Sequence, residues 1–317
     1  MKKIIKKKYS KIWLAGHRGL VGSAVLKLLK KNKYNVIHKT SLQLDLRNKI
    51  HVTKYLKINK PDLIILCAGK VGGILANSLN PIEFYYDNIT IGNNVIKSAF
   101  DLKIKNLIYL GSSCIYPSNL KRKINESDLL NGKLEKTNEY YALAKISCTK
   151  FCQSISKVKS FKYTSIMPCN VYGPNDNFDK TNSHVFAALI SKIYNAKINN
   201  KKKISLWGSG KPRREFIHSY DLAKSIKLIM EKSPNSSIIN VGVGNDISIK
   251  RLAYKISKEL DFNGKIIFDN NRPDGTYRKL LNNSKIINLG WKQNIDLDSG
   301  IKDMIFHYRK NIKKYGA

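Results

Sequence analysis

The chain has no long apolar run. Across its 317 residues no stretch approaches the roughly 18 consecutive apolar positions that a membrane-spanning helix needs, so no membrane partner is expected. It is also short of acid, with 22 Asp and Glu against 58 Lys and Arg and a formal charge of +36. Such an excess can serve nucleic acid. Here the lysines are scattered and no aromatic-interleaved basic stripe stands out, so the charge reads as compositional drift on solvated faces, without a nucleic-acid partner. It would still concentrate anionic substrates such as nucleotides near the surface. Cysteine is sparse and odd in number, at positions 67, 114, 148, 152 and 169, which leaves no complete disulfide framework and implies reduced thiols. Cys148 and Cys152 are four apart on one predicted helix, but no second pair or nearby histidine completes a metal site, so burial is expected and metal is not. The basic start over residues 1–8 lacks an apolar segment behind it, which reads as a lead-in to the first strand, not a signal peptide, in a cytoplasmic protein. Internal repeats and low-complexity linkers are missing as well.

What is present is a chain long enough for a large core, with 42% hydrophobic residues. Short apolar runs at 11–15, 35–38, 63–67, 107–110 and 164–167 read as buried strands. Amphipathic segments at 20–32, 48–57, 81–100 and 139–156 alternate with them as helices. This order predicts an α/β protein with a Rossmann-type, doubly wound parallel sheet, whose ligands bind beyond the carboxyl ends of the strands. After residue 174 the pattern loosens: a polar loop at 175–183, a helix at about 184–196, and a short strand ending at Trp207 before a glycine turn. Residues 238–241 look like one more sheet strand. The expected division is a dinucleotide-binding domain over 1–171 with a returning segment at about 215–245. A smaller substrate-binding lobe would take about 172–214 and 246–317.

Gly16, His17, Arg18, Gly19, Leu20, Val21 and Gly22 follow the first strand and open the first helix. Glycines in that context permit a tight turn and close approach to a pyrophosphate, which meets the free N–H groups of the helix start. Readers of NAD carry an acid at the end of the second strand. Here that region reads His38-Lys39-Thr40-Ser41, with no acid before Asp45, so NADP(H) is expected, with Arg18 and Lys39 neutralising the 2′-phosphate. Tyr141 and Lys145 are four apart, on one face of a helix. An ammonium beside the phenol is expected to pull its pKa down, making it a proton donor and acceptor for carbonyl reduction. Ser112, at the end of the fourth strand, can help polarise a carbonyl, and Cys114 stands beside it. Arg213 and Arg214 together suit a diphosphate, since a guanidinium fork binds phosphate in bidentate fashion.

These segments resemble the extended short-chain dehydrogenase/reductase superfamily, and within it the GDP-L-fucose synthases, which are GDP-4-keto-6-deoxy-D-mannose 3,5-epimerase/4-reductases. The carrying strings are AGHRGLVGSA (15–24), KVGGI (70–74), GSSCIYP (111–117), KTNEYYALAKI (136–146), MPCNVYGPNDNFDKTNSHV (167–185), LWGSGKPRREFIH (206–218), NVGVG (240–244) and RPDGTYRKLL (272–281). The resemblance implies a reductase triad of Ser112, Tyr141 and Lys145, with Lys145 also on the nicotinamide ribose. It implies Cys114 as the epimerisation base and His184, in its Asn182-Ser183-His184 context, as the acid. Pro168, Cys169, Asn170 and Val171 would lie near the nicotinamide, with His184 beside them. Lys192, Trp207, Arg214 and Asp274 would contact the GDP-sugar, and a homodimer would form through the helix bearing Tyr141. The same chemistry on another GDP-4-keto sugar, such as a 6-deoxy-heptose, is the alternative. Two positions depart from the family pattern: Gly69 replaces an alanine, expected to be harmless, and Ser41 replaces an arginine, which removes one contact to the 2′-phosphate.

Overall fold

A computed structural model describes residues 8–179, 183–272 and 274–312. The first half alternates strand and helix: β1 (Ile12–Ala15), α1 (Leu20–Lys31), β2 (Val36–Ile37), α2 (Lys49–Asn59), β3 (Leu63–Leu66), α3 (Ile74–Leu79), α4 (Pro81–Asp101), β4 (Asn106–Leu110), α5 (Glu139–Ile155) and β5 (Lys162–Pro168). Then come β6 (Asn170–Tyr172), α6 (Val185–Ile198), β7 (Lys203–Trp207), β8 (Arg213–Arg214), β9 (Phe216–His218), α7 (Ser219–Lys232) and β10 (Ile238–Val241). The chain finishes through β11 (Ile247–Ser248), α8 (Ile249–Glu259), β12 (Lys265–Asp269), β13 (Arg278–Lys279), α9 (Ser284–Asn288) and α10 (Leu297–Lys310).

Six strands form one parallel sheet in the order β10-β5-β4-β3-β1-β2. Because side chains alternate along a strand, Ile12 and Leu14 face one layer of helices while Trp13 and Ala15 face the other. The first layer is α1, α7 and α9, packed through residues such as Val25, Ile226 and Ile286. The second is α2, α4 and α5, packed through Leu56, Val95 and Cys152. Both faces are thus covered, which explains why these strands read as unbroken apolar runs. The chain leaves β1 to pair β2 on one side and returns to pair β3 on the other. That reversal opens a crevice at the carboxyl ends of β1 and β3, next to the glycine loop.

A second apolar core joins Phe186, Ile190 and Ile193 of α6 to Leu252 and Ile256 of α8 and Ile301 and Met304 of α10. Small sheets stand over it: β7 with β12, and β8 between β11 and β13. Parallel pairing of β6 with β9 ties this part to the end of β5. Leu281, Ile286 and Trp291, late in the chain, pack into the core of the large sheet.

Candidate active site

The glycine loop is built for close approach. Gly16 has φ +88°, and a Cβ there would stand 2.5 Å from the Ala68 nitrogen. A Cβ on Gly22 would fall 2.0 Å from the Gly16 oxygen, so α1 packs directly on the turn. A Cβ on Gly19 would make only ordinary contact, 3.7 Å from the Gly16 oxygen. Gly19 caps α1 without a side chain, and the first turn holds no acid, so its N–H groups suit an anion. The residues therefore fit a dinucleotide pyrophosphate. Arg18 and Lys39 are exposed beside the loop, and the imidazoles of His17 and His38 stack with centroids 4.1 Å apart.

The second group gathers where β4 ends. Ser112 is extended, and its hydroxyl accepts the Cys114 N–H at 3.2 Å, turning residues 113–115 back as a short 3-10 segment. Asn138 Nδ2 approaches Cys114 Sγ at 3.5 Å and Lys279 Nζ at 3.8 Å. Tyr141 and Lys145 share the buried face of α5, with the ammonium 5.7 Å from the phenol ring. Lys145 is 4% exposed, donates to the Leu110 carbonyl at 3.0 Å, and is pushed down to about 8 by burial. The expected lowering of the Tyr141 phenol is not what the structure gives. Burial, then the nearby Cys114, push it up, and only the hydrogen bond with Ser112 opposes them. The ammonium points to a backbone carbonyl, so it does little for the phenol directly.

Gly69 is also more than a neutral replacement. A Cβ there would stand 2.6 Å from Asn88 Oδ1 and 3.5 Å from Lys145 Nζ, so alanine would require that amide to move.

His184 caps the start of α6, and burial lowers its imidazole. Its link to the group runs through neighbours. A Cβ on Gly73 would stand 2.4 Å from the Ser183 carbonyl, and one on Gly275 would touch Ile74 at 3.3 Å and Arg214 at 3.2 Å. Asn182 lies outside the described residues. Arg214 donates to the Thr276 carbonyl at 2.5 Å; burial lowers its pKa, against the pull of Cys114, Glu135 and Asp274. Arg213, its expected partner on a diphosphate, is engaged elsewhere: its guanidinium pairs with Asp246 at 2.6 Å. Adjacent residues on a strand point to opposite faces, so the two cannot act as one fork.

The remaining positions spread outward. Pro168, Cys169, Asn170 and Val171 carry the chain from β5 into β6, and the Cys169 thiol is buried in the sheet core, so that residue offers its backbone to a ligand. Lys192 is exposed on α6. Trp207 is 52% exposed, with the Arg272 guanidinium 5.0 Å from its ring. Asp274 accepts from the Ser209 N–H at 2.9 Å and its hydroxyl at 2.6 Å, closing the glycine turn after β7. Reasoning from sequence missed Asn138 and Lys279, although both lie inside the strings that carried the resemblance. It also missed Glu215. That buried carboxylate accepts from Gly244 N–H at 2.6 Å and Leu281 N–H at 3.0 Å, and burial pushes it up to about 7.

Known proteins resemble the chain over nearly its whole length. A model of the NAD dependent epimerase/dehydratase family matches residues 12–242. The chain is 42% identical over 306 residues to GDP-L-fucose synthase 1 of Arabidopsis thaliana, covering 96% of this chain and 95% of that one. It is 39% identical over 315 residues to the GDP-L-fucose synthase of Escherichia coli K12, covering 96% and 98%. A solved GDP-mannoheptose C4 reductase from Campylobacter jejuni with NADP bound superposes with a TM-score of 0.86 at 34% identity, covering 96% and 99%.

Proposed function

The chain belongs to the NAD dependent epimerase/dehydratase family, and from that premise we propose that it makes GDP-L-fucose from GDP-4-keto-6-deoxy-D-mannose, by 3,5-epimerisation followed by NADPH-dependent 4-keto reduction. Nearly full-length identity to two enzymes named for that product supports the reading. The observation that carries the chemistry is the Cys114 thiol at the end of β4, beside Ser112 and within electrostatic reach of Tyr141.

The hydrogens on C3 and C5 are acidified by the keto group between them. Cys114, as thiolate, removes one, leaving an enolate whose oxygen Ser112 and Tyr141 hold by hydrogen bonds. His184 returns a proton from the opposite side and inverts the centre, and each centre takes one such exchange. The cofactor, when bound, supplies a hydride to C4. Tyr141 then gives its proton to the C4 oxygen, and its hydrogen bond with Ser112 stabilises the phenolate left behind.

Gly16, Gly19, Leu20, Val21 and Gly22 hold the pyrophosphate by backbone, Arg18 and Lys39 the 2′-phosphate, and Lys145 the nicotinamide ribose. Lys192, Trp207, Arg214 and Asp274 take the GDP-sugar. In this scheme residues 1–171 and about 215–245 serve the cofactor, and about 172–214 and 246–317 serve the sugar.

Two chains associate through α4 and α5, which together expose Ile82, Tyr86, Tyr140 and Leu143. Five unpaired thiols suit the reducing cytoplasm. No helix among the described residues is long and apolar enough to cross a membrane.

The test is to mix protein, NADPH and GDP-4-keto-6-deoxy-D-mannose, following absorbance and identifying the product by NMR. Stoichiometric oxidation giving GDP-L-fucose is expected; a D-configured product would leave only the reductase. The likeness to the heptose reductase favours a second reading, the same chemistry on a GDP-6-deoxy-4-keto-heptose. Faster turnover of that sugar would select it.

A further inference from the structure

His38 is the first residue beyond β2 (Val36–Ile37), 22 positions after Gly16. That is the place from which a dinucleotide fold reads the adenosine ribose, by a carboxylate when the ribose bears a free 2′-hydroxyl. In this chain the position carries an imidazole, and its ring lies on that of His17 from the glycine loop, with centroids 4.1 Å apart and planes 30° from parallel. Both rings are half-buried, so each is held in place while keeping an edge toward solvent.

Cationic residues bear on the His17 ring from the glycine loop and α1. Arg18 comes from the glycine loop, Lys30 from α1, and Lys39 from the segment after β2, whose backbone hydrogen-bonds the His17 ring. The next acid along the chain, Asp45, is taken by Arg47 at 2.9 Å. His17 is consequently lowered from the usual imidazole range, by burial first and then by His38, Arg18 and Lys30. Positive groups crowded together without a counter-charge form a site that an added dianion would relieve.

We propose that His38, stacked on His17, is this chain's reader of the cofactor 2′-phosphate, and that docking of the phosphate draws a proton onto the pair. The proposal rests on the NADP(H) reading above. It accounts for how a chain with serine at position 41 discriminates for the phosphorylated cofactor: a two-ring platform does what a second guanidinium would do, and does it in a proton-dependent way. An imidazole suits that role because its charge changes within the working range of pH. A phosphate dianion placed within about 4–6 Å of a base raises its proton affinity by roughly one to three pKa units.

The experiment is calorimetric titration of the full-length protein with NADP+ and with NAD+ at about pH 7.5, in two buffers of contrasting ionisation enthalpy. At that pH a phosphate monoester, with its second pKa near about 6, is already almost fully dianionic and has little proton left to release. Expected is an uptake of roughly 0.3–0.5 proton per NADP+ bound, and close to none for NAD+. The His38→Gln variant keeps a polar side chain of similar size and removes the imidazole. It is expected to lose most of the uptake and to narrow the NADP+/NAD+ affinity ratio by about fivefold, with NAD+ affinity unchanged as the sign that it folds. NADP+ binding without uptake in the parent protein, or with equal uptake and equal ratio in His38→Gln, overturns the proposal and leaves the NADP(H) reading standing. Failure of NADP+ to bind at all overturns both.

Discussion

At Tyr141 burial and a neighbouring thiol push the phenol up, while one serine hydroxyl pulls it back. The pairing with Lys145 was legible from spacing, but the direction of the ammonium was not, because a four-residue interval says nothing about which acceptor the lysine chooses. It chooses the Leu110 carbonyl, and burial brings it down to about 8. Lys145 therefore keeps its charge below that pH and loses it above. We expect kcat/KM for the 4-keto reduction to fall as pH rises through about 8, and Lys145→Arg to move that limb upward. An unchanged limb in Lys145→Arg would assign it to another group. The two half-reactions should separate by residue. Cys114→Ser is expected to slow exchange of the C3 and C5 hydrogens with D2O by about 10²–10³-fold, a loss greater than its effect on reduction, and Tyr141→Phe to show the reverse. Equal loss of both steps in Cys114→Ser would contradict separate roles.

Among the elements, the six central strands and helices α1, α2, α4 and α5 were readable to within a residue or two, because runs buried on both faces and stripes of period 3.6 are strong signals, whereas α3 and α7 were not anticipated. The two-residue strands β8, β11 and β13 were not, since no period can be read from two positions. Arg213 and Arg214 were mistaken for one anion-binding unit for the same reason. Gly92 in α4 is a further contact the sequence hides. Its Cβ would stand 2.2 Å from Cys148 Sγ on α5, so the two helices cross there with no room for a methyl. Gly92→Ala should lose about 1–3 kcal/mol by forcing the helices apart, read as a fall in Tm. Adding Cys148→Ala should recover part of it, whereas additive losses would mean the strain lies elsewhere.

The molecule as a whole leaves the outer faces of α4 and α5 unusually apolar, with Ile82 77% and Tyr86 60% exposed. If this face joins two chains, sedimentation should report a dimer, and Ile82→Glu with Tyr86→Glu should give a folded monomer, since charges at the centre of an apolar contact go unpaired. A parent protein that sediments as a monomer would end the idea.

The register of β8 with β13 has a longer reach than its two residues suggest. Arg214 and Lys279 are paired rungs of that ladder, and the buried Glu215 grips the chain two residues beyond Lys279. The Lys279 ammonium beside the Cys114 thiol and the Arg214 guanidinium are therefore held as one block. A change anywhere in this block disturbs both cations at once, while Trp207 and Lys192 stand outside it. New specificities should thus arise at the periphery, with the Arg214–Lys279 pair passed on intact.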